Sequence, residues 1–372
     1  MGRLRLRSLL LVTLAVTAFS VSALVLRGLP ERTSDGETAP AQTVLVYAQF
    51  GFSADRVYTA PAGDPTRREL MTTVAHAAGW GINPAPSMAG TLVAYTVLPS
   101  GSGRGAPAEL WLFDLASGTG TRLARDADLF VAPLFGPAGD YLVYRSLGPD
   151  GEQRLSRVDL ATRARRVVHS YSGDFGIFPV AQEAGGDVLF VQLSTAGTDL
   201  YRVDGAGEVT MLLHASDEIA RDWQLSPDGR LISYLAPVRA GERIVNRLHV
   251  ASIADGGSLI EADGPSEQFA PVWDANGQAL TVGREAYPAA TASAATISLA
   301  DGAITPLAAP ERGFDTPLGW SPDGRYLAAR TFDGSSAYAP GTESLVVISV
   351  DGERLPVTGS SELIFLGWLA RG

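Results

Sequence analysis

The sequence predicts an all-β protein: a seven-bladed β-propeller, closed by pairing its C-terminal strand with its N-terminal strands, after one N-terminal transmembrane helix. Three observations carry that expectation. A glycine followed by an alternating apolar run recurs at Gly90, Gly139, Gly186, Gly229, Gly277 and Gly324, at spacings of 49, 47, 43, 48 and 47 residues, a period that suits a four-stranded blade. Glycine (41) and proline (23) are plentiful, as many short strands joined by tight turns require. Beyond one apolar run near the N-terminus, helical periodicity is almost absent.

Taken in order, residues 1–7 form a short basic segment with Arg3, Arg5 and Arg7, followed by an uncharged apolar run from Ser8 to Leu26 that Arg27 ends. Nineteen helical residues span roughly 28 Å, close to the hydrocarbon thickness of a bilayer. The preceding arginines favour a cytoplasmic N-terminus, with the bulk of the chain outside. The competing reading is a cleaved signal peptide, because Val21-Ser22-Ala23 fits the small-residue cleavage pattern. Both readings place the rest of the chain outside the cytoplasm: on the cell membrane as a single-pass protein, or secreted or periplasmic after cleavage. Residues 27–42, with two prolines and several polar residues, read as a flexible tether, and residues 43–372 as the propeller.

Within each repeat the plan is constant. A large apolar residue often stands four positions before the glycine, as at Phe135, Leu225, Trp273 and Trp320. The turn that follows is clearest at Ser226-Pro227-Asp228-Gly229 and Ser321-Pro322-Asp323-Gly324. Proline pre-sets the second turn position there, and glycine supplies a positive φ. A second, a third and a fourth strand come next, the last two joined by hairpin turns such as Asp204-Gly205 and Asp351-Gly352. At the ends the plan is split. Thr43–Tyr47, Arg56–Ala60 and Arg67–Met71 match second, third and fourth strands with no first strand before them, while Leu363–Trp368 resembles a first strand alone. Trp368 lies 48 residues after Trp320, one period on. The last strand therefore completes the first blade and leaves no open edge at the seam. Counting that composite blade gives seven; six blades with irregular termini is the alternative.

Composition removes several function classes. The net charge is -11, and all 29 basic residues are arginines. That charge argues against a nucleic-acid partner, which needs a concentrated basic face. Without cysteine there is no disulfide, thiolate metal site or cysteine nucleophile. His76, His169 and His214 fall at the ends of fourth strands in separate repeats, and His249 in a third strand; the spacing does not gather them, and no metal or cofactor is expected. The chain is expected to be monomeric.

The Ser-Pro-Asp-Gly turns resemble the repeat of TolB-type propellers, which also occurs in the propeller domains of prolyl oligopeptidase-class peptidases. The resemblance covers most of the chain after residue 43 and implies the fold. It implies function only broadly, since such propellers serve as protein-binding modules and as peptidase gatekeepers. The peptidases carry a hydrolase domain with a Gly-x-Ser-x-Gly elbow, and this sequence has no such motif.

Two patterns point to a binding rim. Acids stand just before first strands at Asp128, Asp174, Glu218, Glu267, Asp315 and Glu362. Either they cap their own turns, or they form a carboxylate crown at the channel mouth that attracts a cation or a basic peptide. Trp80 and Trp223 stand near the same rim, where an aromatic can stack on a ligand. Trp273, Trp320 and Trp368 repeat at first-strand positions and read as packing between blades. Loops Pro99–Pro107 and Glu285–Ala294 are insertions between second and third strands, on the face where repeat proteins often bind. The functional expectation is a non-catalytic module that binds a protein, peptide or envelope component. The alternative is a hydrolase or lyase with carboxylates at the channel mouth.

Overall fold

The computed structural model describes residues 42–371, apart from 85–87, 104, 149, 174, 262–265, 360 and 361. The expected membrane span and all but the last residue of the tether lie outside the described residues. Among the described residues no helix is long and apolar enough to cross a membrane.

The repeated turn is the unit from which the fold is built. At Ser321–Gly324 the Ser321 N–H donates to the Tyr326 carbonyl at 2.7 Å and the Gly324 N–H to the Ser321 carbonyl at 2.8 Å. Ser321 Oγ accepts the Tyr326 N–H, and Asp323 Oδ1 the Arg325 N–H. Gly324 has a φ of +67°, yet a Cβ there would meet nothing within 4 Å. Backbone handedness, not space, requires the glycine. Ser226–Gly229 closes in the same way, and so do the degenerate copies Gly136–Gly139 and Asp274–Gly277. The geometry persists where the motif has decayed.

Strands then pair antiparallel, mostly in groups of four. β1 (Gln42–Gln49), β2 (Ala54–Pro61) and β3 (Glu69–Ala75) share a sheet with the C-terminal strand Leu363–Arg371, which lies beyond β1. That pairing runs from Gln42 opposite Arg371 to Gln49 opposite Leu363, as the spacing from Trp320 to Trp368 implies. A bulge at Val46/Tyr47 falls beside Gly367, whose φ is +152°. Three more four-stranded sheets lie within 176–216, 221–261 and 268–306. The strands between Asn83 and Tyr171 form one eight-stranded sheet, whose halves meet only at the pair Ala127–Ser146. The sheet from Gly313 to Pro356 gains Thr291–Ala292 as a short parallel fifth strand.

Apolar side chains fill the space between successive sheets. Leu45 and Tyr47 of β1 pack with Leu318, Ala328 and Val347, whereas Val44 and Val46 pack with Val93, Tyr95 and Phe113. The alternation of one strand thus feeds two interfaces. Fully buried side chains such as Phe190 and Phe314 each contribute about 1.5–3 kcal/mol by burial. The first-strand tryptophans lock the interfaces: Trp273 donates its indole N–H to the Gln224 carbonyl, Trp320 to Thr281 Oγ1 and Trp368 to the Gly319 carbonyl. Each partner lies in the preceding sheet.

Because strands alternate in direction, the loops fall on two faces. One face carries the first-to-second and third-to-fourth turns. The other carries the second-to-third loops and the linkers between sheets. Contacts mark the linker face: Phe50 N–H donates to the Glu362 carbonyl, Ala77 N–H to Leu98 and Tyr287 N–H to Ser335. At the opposite end of β1, Thr43 Oγ1 donates to Asp323 Oδ2 at 2.7 Å. The Ser-Pro-Asp-Gly turn and Glu362 therefore sit on opposite faces.

Candidate binding face

Of the acids expected just ahead of first strands, Asp128 and Glu267 stand on linkers and Asp315 lies within its strand, and these three are committed to arginines. Asp128 is buried, caps the Phe130 N–H at 2.8 Å and accepts from Arg145 Nη2 at 2.7 Å and Nε at 3.0 Å. Arg145 also donates to the Ile177 carbonyl and lies over the Phe178 ring, tying one sheet to the next. Burial pulls its pKa down and Asp128 opposes that. Glu267 accepts from Arg221 at 2.9 Å and from both the backbone and the side chain of Asn246. Asp315 is fully buried, bridged by Arg354 Nη1 and Nη2 at 2.8 Å each and by Thr331 Oγ1 at 2.7 Å. These carboxylates are structural clamps with their charge already matched.

Glu218 and Glu362 are exposed on the linker face, and Asp174 lies outside the described residues. Trp80 is half-buried and meets Phe130 edge-on at 6.0 Å. Trp223 does not reach the rim surface: it is buried, stacked on Tyr234 at 4.4 Å, with its N–H on the Ala220 carbonyl. The histidines are held separately. His169 stacks on Phe190, His249 on Tyr234, and His214 bonds Asp199 and Asp217.

Beside the closing strand the structure gathers a cluster that spacing alone does not bring together. Asp55 and His76 are buried; His76 Nε2 meets Asp55 Oδ1 at 3.0 Å and its Nδ1 meets the Ala77 carbonyl at 2.9 Å. Asp55 also accepts the Gly51 and Ile82 N–H groups, so one carboxylate pins the β1–β2 loop to the linker after β3. Nearby, Glu362 has a pKa raised first by burial and then by the charge of Glu343, with Arg330 opposing and Asp55 adding to the rise. Its own surface is exposed, yet it is densely surrounded by protein, so its water is restricted. Arg330 pairs with Glu343 at 3.4 Å. A shallow cavity of about 250 Å³, lined in part by Gln49, Phe50, Phe52 and Arg56, opens next to this cluster and is smaller than most small-molecule pockets.

Two further features escape a reading of the sequence. Asp222 holds a left-handed φ of +56°, and its Oδ1 has no hydrogen-bond partner among the described residues. Burial pushes its carboxyl up to about 6, with Arg221 and the Ala270 N–H acting against the rise. The second is the distribution of exposed apolar side chains. Phe52 (73% exposed), Phe130, Phe175, Ile219, Tyr287 and Tyr338 (86%) all stand on linkers or second-to-third loops. Only single residues are involved, so no periodicity announces them. The insertion that carries Tyr287 is tied down: Glu285 is buried, accepts from Arg243 at 2.8 Å and receives the Glu267 N–H.

No protein-family model matches the chain, and no curated protein matches it. Solved structures do. TolB from Acinetobacter baumannii is 17% identical, with a TM-score of 0.50 over 88% of this chain and 66% of that one. An oligogalacturonate lyase in complex with manganese is 15% identical, with a TM-score of 0.54 over 85% of each chain. A prolyl endopeptidase is 15% identical, with a TM-score of 0.55 over 88% of this chain and 50% of that one. The chain thus spans 66% of the length of that TolB and half of the endopeptidase. At these identities the likeness defines the fold, and the chain has a β-propeller fold of the TolB-like kind. TolB, a lyase and an endopeptidase all share it, so the fold alone does not fix the role.

Proposed function

We propose that this chain is a seven-bladed propeller, held outside the cytoplasmic membrane by residues 8–26, that binds a protein, peptide or envelope component without catalysis. Supporting the count of seven, the eight-stranded sheet narrows to the single pair Ala127–Ser146, and Thr291–Ala292 reads as an addition to the last blade. The observation that carries the binding reading is that Phe52, Phe130, Phe175, Ile219, Tyr287 and Tyr338 are exposed on linkers and insertions of one face. A rigid disc that exposes such residues on one side gains free energy when a partner covers them. To test it, a photo-crosslinking residue is placed at Ile219 or Tyr338 in the full chain in its native envelope, with Val350 on the turn face as control. Adducts at the first two positions and none at Val350 support the reading; adducts only at Val350 overturn it.

A second reading is favoured by one observation, the raised pKa of Glu362 beside Glu343. A carboxyl raised above its ordinary pKa beside a second carboxyl is one arrangement from which acid–base chemistry is built. In that case Glu362→Gln abolishes cleavage of an acidic oligosaccharide, followed by the ultraviolet absorbance of an unsaturated product. Absence of turnover by the unaltered chain removes this reading.

A further inference from the structure

Three aromatics from three different loops make one strip on the linker face. Phe52 tops the β1–β2 loop, Trp80 follows β3, and Phe130 belongs to the next linker. Trp80 meets Phe130 edge-on, and Gly79 bridges to Phe52: its N–H donates to the Phe52 carbonyl at 2.6 Å, and a Cβ on it would lie 3.8 Å from the Phe52 ring. The loops beneath are fixed through buried Asp55, which holds His76, the Gly51 N–H and the Ile82 N–H. Phe52 and Phe130 are thus exposed, and Trp80 half-buried between them, on a rigid support, a costly arrangement for a face that stays wet.

Charge beside the strip selects the occupant. The Glu362 carbonyl accepts the Phe50 N–H, which places Glu362 at the root of the Phe52 loop. Glu343 stands beside it, with its Oε1 3.4 Å from Arg330 Nε and without a hydrogen-bond partner among the described residues, and the two carboxylates oppose each other. A cation seated there relieves the repulsion. Position turns the strip away from the bilayer of a chain anchored at residues 8–26. β1 enters the fold at the turn face, where Thr43 bonds Asp323, and its eight residues carry the chain about 26 Å to the linker face. The segment between residues 26 and 42 reaches at most about 54 Å when fully drawn out. Laying the strip on a membrane that holds residues 8–26 requires most of that reach to round two further strands and the disc's edge.

We infer that the Phe52–Trp80–Phe130 strip docks a polypeptide segment that carries apolar side chains and an arginine or lysine seated against Glu362 and Glu343, from the side turned away from the membrane. The inference rests on the binding-face reading above and adds to it the class of partner and the direction of approach.

The test uses the full chain, whose lack of cysteine allows a single dye at Ser53→Cys on the linker face or Val350→Cys on the turn face. The protein is reconstituted into phospholipid vesicles bearing a headgroup quencher. Short peptides alternating leucine with arginine, or leucine with glutamate, are then titrated against it. The expected result is a dye at position 53 that escapes the quencher and responds to the leucine–arginine peptide at least about tenfold more tightly than to the leucine–glutamate peptide. Phe52→Ser with Phe130→Ser, and separately Glu362→Gln with Glu343→Gln, weaken that response about tenfold, while melting stays unchanged for the aromatic pair. Quenching at position 53 by lipid, equal response to both peptides, or no response overturns the inference. A chain that fails to join the vesicles removes the anchor reading instead, and the same titration in solution still decides the docking.

Discussion

Replacing Asp315 with asparagine removes one charge while keeping the shape of the side chain. In the native fold its two oxygens accept two bonds from Arg354 and one from Thr331, with Asp315 itself wholly out of water. The amide turns one of those bonds into a donor facing a donor and leaves the guanidinium without its counter-charge. Breaking a buried pair in this way costs about 3–5 kcal/mol. Arg354 keeps a fifth of its side chain in water and its bond to the Ala308 carbonyl, so the lower end, about 3 kcal/mol, applies. With an unfolding entropy of about 2.1 cal/mol/K per residue over roughly 330 residues, that loss lowers Tm by about 4 °C if unfolding is cooperative. Calorimetry of Asp315→Asn beside Glu218→Gln is the assay; the exposed Glu218 gives a shift within about 0.5 kcal/mol. An Asp315→Leu, Arg354→Met double variant recovers most of the loss, because an apolar pair avoids the stranded charge. Equal melting of Asp315→Asn and the unaltered chain would refute the claim that this acid is a structural clamp.

Three other perturbations follow from the same geometry. Asp222 keeps its proton up to about pH 6 when folded but only to the ordinary aspartate value of 3.8 when unfolded; the folded state therefore binds more protons in between, and stability falls as pH rises from about 4 to 6 and stays lowered above. Asp222→Asn should remove most of that decline, raising stability at pH 7 by about 2 kcal/mol and leaving it nearly unchanged near pH 4, as denaturant melts at both pH values check. Gly313→Ala places a Cβ 1.8 Å from the Phe332 carbonyl oxygen at a φ of +84°, and should lower Tm by several degrees more than Gly324→Ala, whose Cβ meets open space. Ending the chain at Gly359 strips β1 of its partner and bares a sheet edge. That truncated chain should be aggregated or unfolded by size-exclusion chromatography and circular dichroism, with recovery when a peptide of residues 360–372 is supplied.

Repetition makes the fold legible in the sequence itself. A tight turn copied at a 47-residue rhythm fixes strands on both sides of it, and Trp368 one period after Trp320 shows that the chain's ends meet. The first strands at Asn83–Pro84 and Leu134–Phe135 are only two residues long, too short to carry an alternating pattern. The site was less legible because its partners are distant in sequence. Asp128 finds Arg145 17 positions on, two strands further along, whereas Glu267 and Asp315 find Arg221 and Arg354 at 46 and 39 positions away. A row of acids at one point in each repeat looks like a crown until those arginines are placed. Trp223 likewise shares its rim with Trp80 in sequence, yet its ring turns inward onto Tyr234.

The linker face, not the turn face, is the side on which we propose that this propeller meets its partner. Hydroxyl-radical footprinting of the full chain in its native envelope, compared with the purified chain, addresses it directly. Phe52, Phe130 and Tyr338 should lose reactivity in the envelope while Val350 on the turn face keeps it. Unchanged reactivity at all three, or protection confined to Val350, would contradict the claim.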